Sequence, residues 1–80
     1  MSVSWKSFGR WARSKGYTVT KNGKKDEVIE GVDYADGTKG VPIATERHNS
    51  PDEVPPYPLQ EIAYRLGITK RQLEEQMNEY

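Results

Sequence analysis

Residues 1–25 carry seven cations and no acid: Lys6, Arg10, Arg13, Lys15, Lys21, Lys24 and Lys25. All twelve Asp and Glu lie from Asp26 onward, among five further Lys or Arg. A net charge of zero is therefore divided into +7 followed by −7. Guanidinium forks and ammonium points gathered in this way suit phosphate or carboxylate partners. The segregation points to a basic surface that meets nucleic acid or an acidic protein. Within one fold the two halves could instead neutralise each other and leave no surface over. The contact candidates are Lys6, Arg10, Arg13, Lys21, Lys24 and Lys25. Lys70 and Arg71 form a second group late in the sequence.

Chemistry beyond binding has little to work with. His48 is the one histidine and there is no cysteine. Disulfides, thiolate metal sites and multi-histidine centres are thereby excluded. No Ser-His-Asp context or phosphate-cradling glycine motif occurs, and Gly16, Gly23, Gly31, Gly37 and Gly40 sit in turn or bulge contexts. Glu30, Asp33 and Asp36 lack EF-hand spacing and read as a solvated acidic turn. No cofactor or metal is implied. An enzyme would depend on His48, Arg47 and the lysines of the first hairpin. That set would suffice for RNA cleavage, with a base for the 2′-hydroxyl and cations for the phosphate. A surface histidine at a strand end is the simpler reading, so a non-catalytic chain is expected.

The elements that must position these groups follow from periodicity. Residues 4–15 read as a helix, with Trp5, Phe8 and Ala12 on one face and Trp11 beside it. Lys6, Arg10 and Arg13 line another face. Gly16 is a natural stop. Gly9 inside the helix costs about 1 kcal/mol relative to alanine, which suggests close packing there or a marginal helix. The aromatic face is expected to be core rather than a platform for stacked bases. Residues 17–21 alternate as a strand, and Asn22-Gly23 is a strong hairpin signal. A second strand is expected over 27–34, with Val28, Val32 and Tyr34 on one face and a bulge at Gly31. Asp36-Gly37 makes the next turn. A third strand over 40–47 carries Val41, Ile43 and Thr45, with Pro42 confining it to an edge.

Residues 48–58 hold four of the five prolines and read as a stiff connector, non-helical and partly extended. Leu59, Ile62, Ala63 and Leu66 then fall on one helix face, and Gly67 can take the left-handed conformation that ends it. Thr69 and Gln72 have the spacing of a capping box for a second helix, with Ile68 and Leu73 as its hydrophobic staple. Leu73, Met77 and Tyr80 continue an apolar stripe. The whole predicts a single α+β domain over residues 1–80. It has an N-terminal helix, a three-stranded antiparallel meander and a C-terminal helix pair packed on one sheet face. No apolar run is long enough for a membrane span or a signal-peptide core, so a soluble, cytoplasmic protein is expected.

Two stretches resemble known families. Ile62, Ala63, Gly67, Ile68, Thr69 and Leu73 are similar to the helix-turn-helix pattern of DNA-binding regulators. That resemblance implies a second helix presenting Thr69, Lys70, Arg71 and Gln72 to the major groove, together with Glu74 and Glu75. The order of elements over most of the chain resembles the HicA-type toxins of toxin–antitoxin modules, small mRNA interferases with a double-stranded-RNA-binding-like fold. The helix running into KGYTV and the segment DGTKGVPIATERHN carry the likeness. The family places its catalytic histidine just after a glycine of the first hairpin, where this chain has Gly23-Lys24-Lys25. The resemblance thus implies the fold and a binding surface around Lys21, Lys24 and Lys25. A degenerate ribonuclease would use His48 instead. The leading expectation is a small non-catalytic binding module for nucleic acid, RNA before DNA, or for an acidic protein. A helix-turn-helix regulator and a small inhibitor docking on a larger enzyme are the alternatives.

Overall fold

The computed structural model describes residues 2–21 and 27–80, the side chain of Lys21 excepted. The expected Asn22-Gly23 turn lies outside the described residues, as do Lys24 and Lys25. Helix α1 spans Trp5–Ser14. The Ser4 hydroxyl accepts from the Ser7 amide at 3.1 Å and so satisfies one of the donors a helix start leaves open. Past Lys15 the chain turns at Gly16 with φ +81°, a conformation open to glycine at little cost. The Tyr17 amide closes the helix end by donating to the Ala12 carbonyl at 2.9 Å. Trp5, Phe8, Trp11 and Ala12 are all buried, as the spacing predicts.

Three strands follow: β1 (Thr18–Lys21), β2 (Glu27–Glu30) and β3 (Ile43–Ala44). They form one antiparallel sheet with β2 in the centre. Val19 stands opposite Ile29, and Ile29 opposite Ile43. Two strands are shorter than their sequence pattern suggests. At Gly31, φ is +94°, so the glycine ends β2 instead of bulging within it. As a result Ile29, not Val28, takes the fully buried place, and Val32 is buried beyond the strand. In β3, Pro42 brings no amide donor and Glu46 leaves the extended region at φ 58°, so only two residues pair. Ile43 and Thr45 point inward, but Val41 is 71% exposed.

Helix α2 spans Pro56–Leu66 and starts three residues earlier than the periodic pattern, inside the proline-rich connector. Pro56 and Pro58 fall in its first turn, where no intrahelical amide bond is needed. Gly67 ends α2 in the left-handed conformation. Helix α3 spans Lys70–Met77 with a complete capping box. The Gln72 amide donates to Thr69 Oγ1 at 3.0 Å and the Thr69 amide to Gln72 Oε1 at 2.9 Å. Leu73 and Met77 are fully buried, whereas Tyr80 is 42% exposed and does not extend the stripe. Helix α1 packs on β1 and α3, and α2 packs on α3 and β3. The core between helices and sheet draws on Phe8, Trp11, Ile29, Leu59, Ile62 and Leu73.

A buried arginine organises the long connection between β2 and β3. Arg65 is 4% exposed. Its Nη1 donates to the carbonyls of Val32 and Val41, both at 2.8 Å. Its Nε donates to Glu61 Oε2 at 2.9 Å, one helical turn earlier. The guanidinium lies 5.1 Å from the Tyr34 ring centroid, within cation–π range. Gly40 passes so close that a Cβ there would collide with the Val32 carbonyl oxygen and Arg65 Nη1.

Candidate nucleic-acid interface

On α1, residues 6, 9 and 13 share one stripe, at i, i+3 and i+7. It lies beside the buried stripe of Trp5, Phe8 and Ala12. Lys6 and Arg13 are exposed, with Gly9 between them. A Cβ at Gly9 would meet nothing within 4 Å. The close packing suggested for this glycine is therefore absent, and the missing side chain leaves a notch. The notch opens into a cleft of about 380 Å³ between α1, the sheet and the turn after β3.

The opposite wall follows from strand alternation. The period of two that buries Ile29 turns Glu27 and the cross-strand neighbour Val19 towards the helix as well. Both line the cleft, with Trp5 and Phe8 on its inner side. Arg47 completes it: Nη1 donates to Glu27 Oε1 at 2.6 Å, and the guanidinium sits 5.2 Å from the Trp5 ring centroid. Trp5 is itself fixed by its Nε1, which donates to the Ser50 carbonyl at 2.8 Å. The Arg47 side chain is 51% exposed, so the ion pair is worth at most about 1 kcal/mol in stability. Its consequence is electrostatic: it neutralises the one carboxylate that lines the cleft among the described residues.

The cations named from sequence are distributed as follows. Lys6, Arg13 and Arg47 all line the cleft. Arg10 stands one step round the helix, where its Nη1 donates to the Tyr80 carbonyl at 3.2 Å. Among the described residues, no carboxylate pairs with Lys6, Arg10 or Arg13. The backbone of Lys21 ends β1 opposite Glu27. Lys70 and Arg71 belong to α3 and line no part of the cleft. Lys70 approaches Glu74 at 4.0 Å, and Arg71 is exposed. His48 is exposed in the turn 47–49 and is not among the residues lining the cleft.

Among the described residues, no group of three His, Asp or Glu is placed to hold a metal ion. The carboxylates of the acidic turn are engaged by backbone. Asp33 Oδ1 accepts from the Gly40 amide at 3.1 Å and Asp36 Oδ1 from the Thr38 amide at 2.9 Å. These amide bonds are the main reason both carboxyls titrate below their ordinary value, with Lys39 assisting at Asp33. The Tyr17 hydroxyl is pushed up by burial and then by the charge of Asp33. No helix among the described residues is long and apolar enough to cross a membrane.

Sequence reasoning found Lys6, Arg10 and Arg13 but not the cleft. Glu27 is an ordinary strand residue until its register is known, and the sequence offers Arg47 only as a cation beside His48 in a catalytic set, not as a partner of Glu27. Gly9 carried the available signal: a glycine inside an otherwise regular helix, flanked by cations at i−3 and i+4. Comparisons of the chain with protein-family models, with characterised proteins and with solved structures find no match.

Proposed function

We propose that this chain is a small binding module for nucleic acid, RNA in the first place, acting without catalysis of its own. The basic face of α1, with Lys6, Arg10 and Arg13, and Arg47 across the cleft form the contact surface. One observation carries the reading: Lys6, Arg10 and Arg13 are exposed and pair with no Asp or Glu among the described residues, although the chain has as many acids as bases. Phosphates would supply the missing counter-charge, displacing condensed ions from the nucleic acid as they bind. The half-apolar lining of the cleft suits a polyanion that also carries flat, apolar groups.

The test is a titration of labelled RNA and duplex DNA with two double variants. K6A/R13A is expected to weaken RNA binding at least tenfold while K70A/R71A leaves it nearly unchanged. The reverse pattern, with duplex DNA preferred, would transfer the function to α3 and favour a helix-turn-helix regulator. Absence of binding to either nucleic acid would favour an acidic protein partner, such as an enzyme that this chain inhibits. The resemblance to HicA-type ribonucleases is examined by the same RNA: cleavage that disappears in His48→Ala would restore a catalytic role.

A further inference from the structure

Resting on the reading just given, we infer that the cleft beside Gly9 is a pocket for one unpaired base, and that guanine is the base it selects. Lys6 and Arg13 are seven residues apart on α1, about 10 Å along the helix axis, with the notch of Gly9 between them. A nucleotide entering the notch brings one phosphate to each side, within reach of one long cation each. The cleft holds about 380 Å³, at the lower end of the range for small-molecule sites and sufficient for a nucleoside. Trp5, Phe8 and Val19 offer its base an apolar wall. A base in a duplex cannot reach this recess without leaving its stack.

The choice of guanine follows from Glu27. A carboxylate offers only acceptors, about four lone-pair sites on two oxygens. Arg47 occupies one of them on Oε1. Guanine presents two adjacent donors on its Watson–Crick edge, N1–H and the N2 amine, and can meet both oxygens at once. Adenine and cytosine set one donor beside an acceptor, and uracil sets one donor between two acceptors, so each brings a lone pair against the carboxylate. The bond to Arg47 keeps Glu27 compatible with an anionic ligand. Among the described residues, the charged groups facing the pocket are thus a pair for the base edge and two cations for the backbone.

The experiment uses fluorescein-labelled hexauridylate and its three versions with one central guanosine, adenosine or cytidine. The guanosine oligomer is expected to bind about tenfold more tightly than the others, as a bidentate base contact implies, and to quench Trp5. Glu27→Gln, whose carboxamide offers one acceptor and one donor, is expected to bring the guanosine oligomer to the same affinity as the other three, and, because it frees Arg47 from its carboxylate, to tighten all four together. Gly9→Leu fills the notch with a better helix former and is expected to erase the guanosine preference without loss of fold. Salt-sensitive binding of all four oligomers with equal affinity would overturn the pocket and leave the polyanion reading intact. A guanosine preference that survives both substitutions would overturn it too. If none of the oligomers binds, both readings fall.

Discussion

Replacing Arg65 with methionine tests how the long β2–β3 connection is held. Methionine keeps an unbranched stem against Tyr34 but removes every donor. The carbonyls of Val32 and Val41 then lose the Nη1 bonds of 2.8 Å that they share. A buried polar group left unpaired costs about 1–3 kcal/mol. The Glu61 side chain is 28% exposed and can turn to water, so its loss adds little. Because the new apolar side chain recovers part of the packing, the net cost is expected near 3 kcal/mol. For a domain of 80 residues each kcal/mol lowers Tm by about 4–8 °C, which gives a drop of roughly 15 °C. Thermal unfolding followed by circular dichroism reads it directly. Arg65→Lys, which keeps the charge but not the fork, is expected to fall between. A methionine variant melting within about 3 °C of wild type would refute the claim that this guanidinium organises the connection.

Other outcomes follow from the same geometry. Gly40→Ala forces its Cβ into the Val32 carbonyl and Arg65 Nη1, so Tm is expected to fall as in the methionine variant, and the combined loss is expected to be smaller than the sum, because the methionine change relieves the clash with Nη1 but not that with the carbonyl. Thr69→Ala removes half of the capping box and is expected to cost about 1 kcal/mol in urea unfolding. Asp33 titrates below its ordinary 3.8 because of the Gly40 amide. Its contribution is therefore present above that value and lost as the pH falls through the lowered folded value. Acid melting curves should show this loss in wild type and a smaller one in Asp33→Asn. Trp11 Nε1 is buried with no partner among the described residues, so Trp11→Phe removes an orphaned donor. It is expected to cost less than the about 3–5 kcal/mol usual for truncating a buried Trp to Ala.

The parts of the fold that announce themselves in sequence are those governed by local chemistry. Gly67 and the Thr69–Gln72 pair act within one helical turn, so their spacing reveals them directly. The aromatic stripe of α1 needs only a helix and a core. Non-local effects were not legible. β2 ends at Gly31 and β3 shrinks to two residues between Pro42 and Glu46. The connection between them is held by Arg65, and nothing beside Arg65 in sequence signals its bonds to Val32 and Val41. The start of α2 is hidden for a different reason: a cluster of prolines argues against a helix, although the first helical turn tolerates them. The cleft shows both sides at once. Lys6, Gly9 and Arg13 are a visible stripe, whereas Glu27 and Arg47 join it only through strand register and the turn after β3.

The central claim is that the α1 cations, which pair with no Asp or Glu among the described residues, neutralise phosphates. The most direct measurement is the salt dependence of RNA binding from 50 to 200 mM, compared with that of K6A/R13A. Three described contacts, Lys6, Arg10 and Arg13, give a slope of log affinity on log salt of about −2 for single-stranded RNA, and removal of two should make it shallower by about 1.4. A slope near zero, or one that the double variant leaves unchanged, would contradict the account.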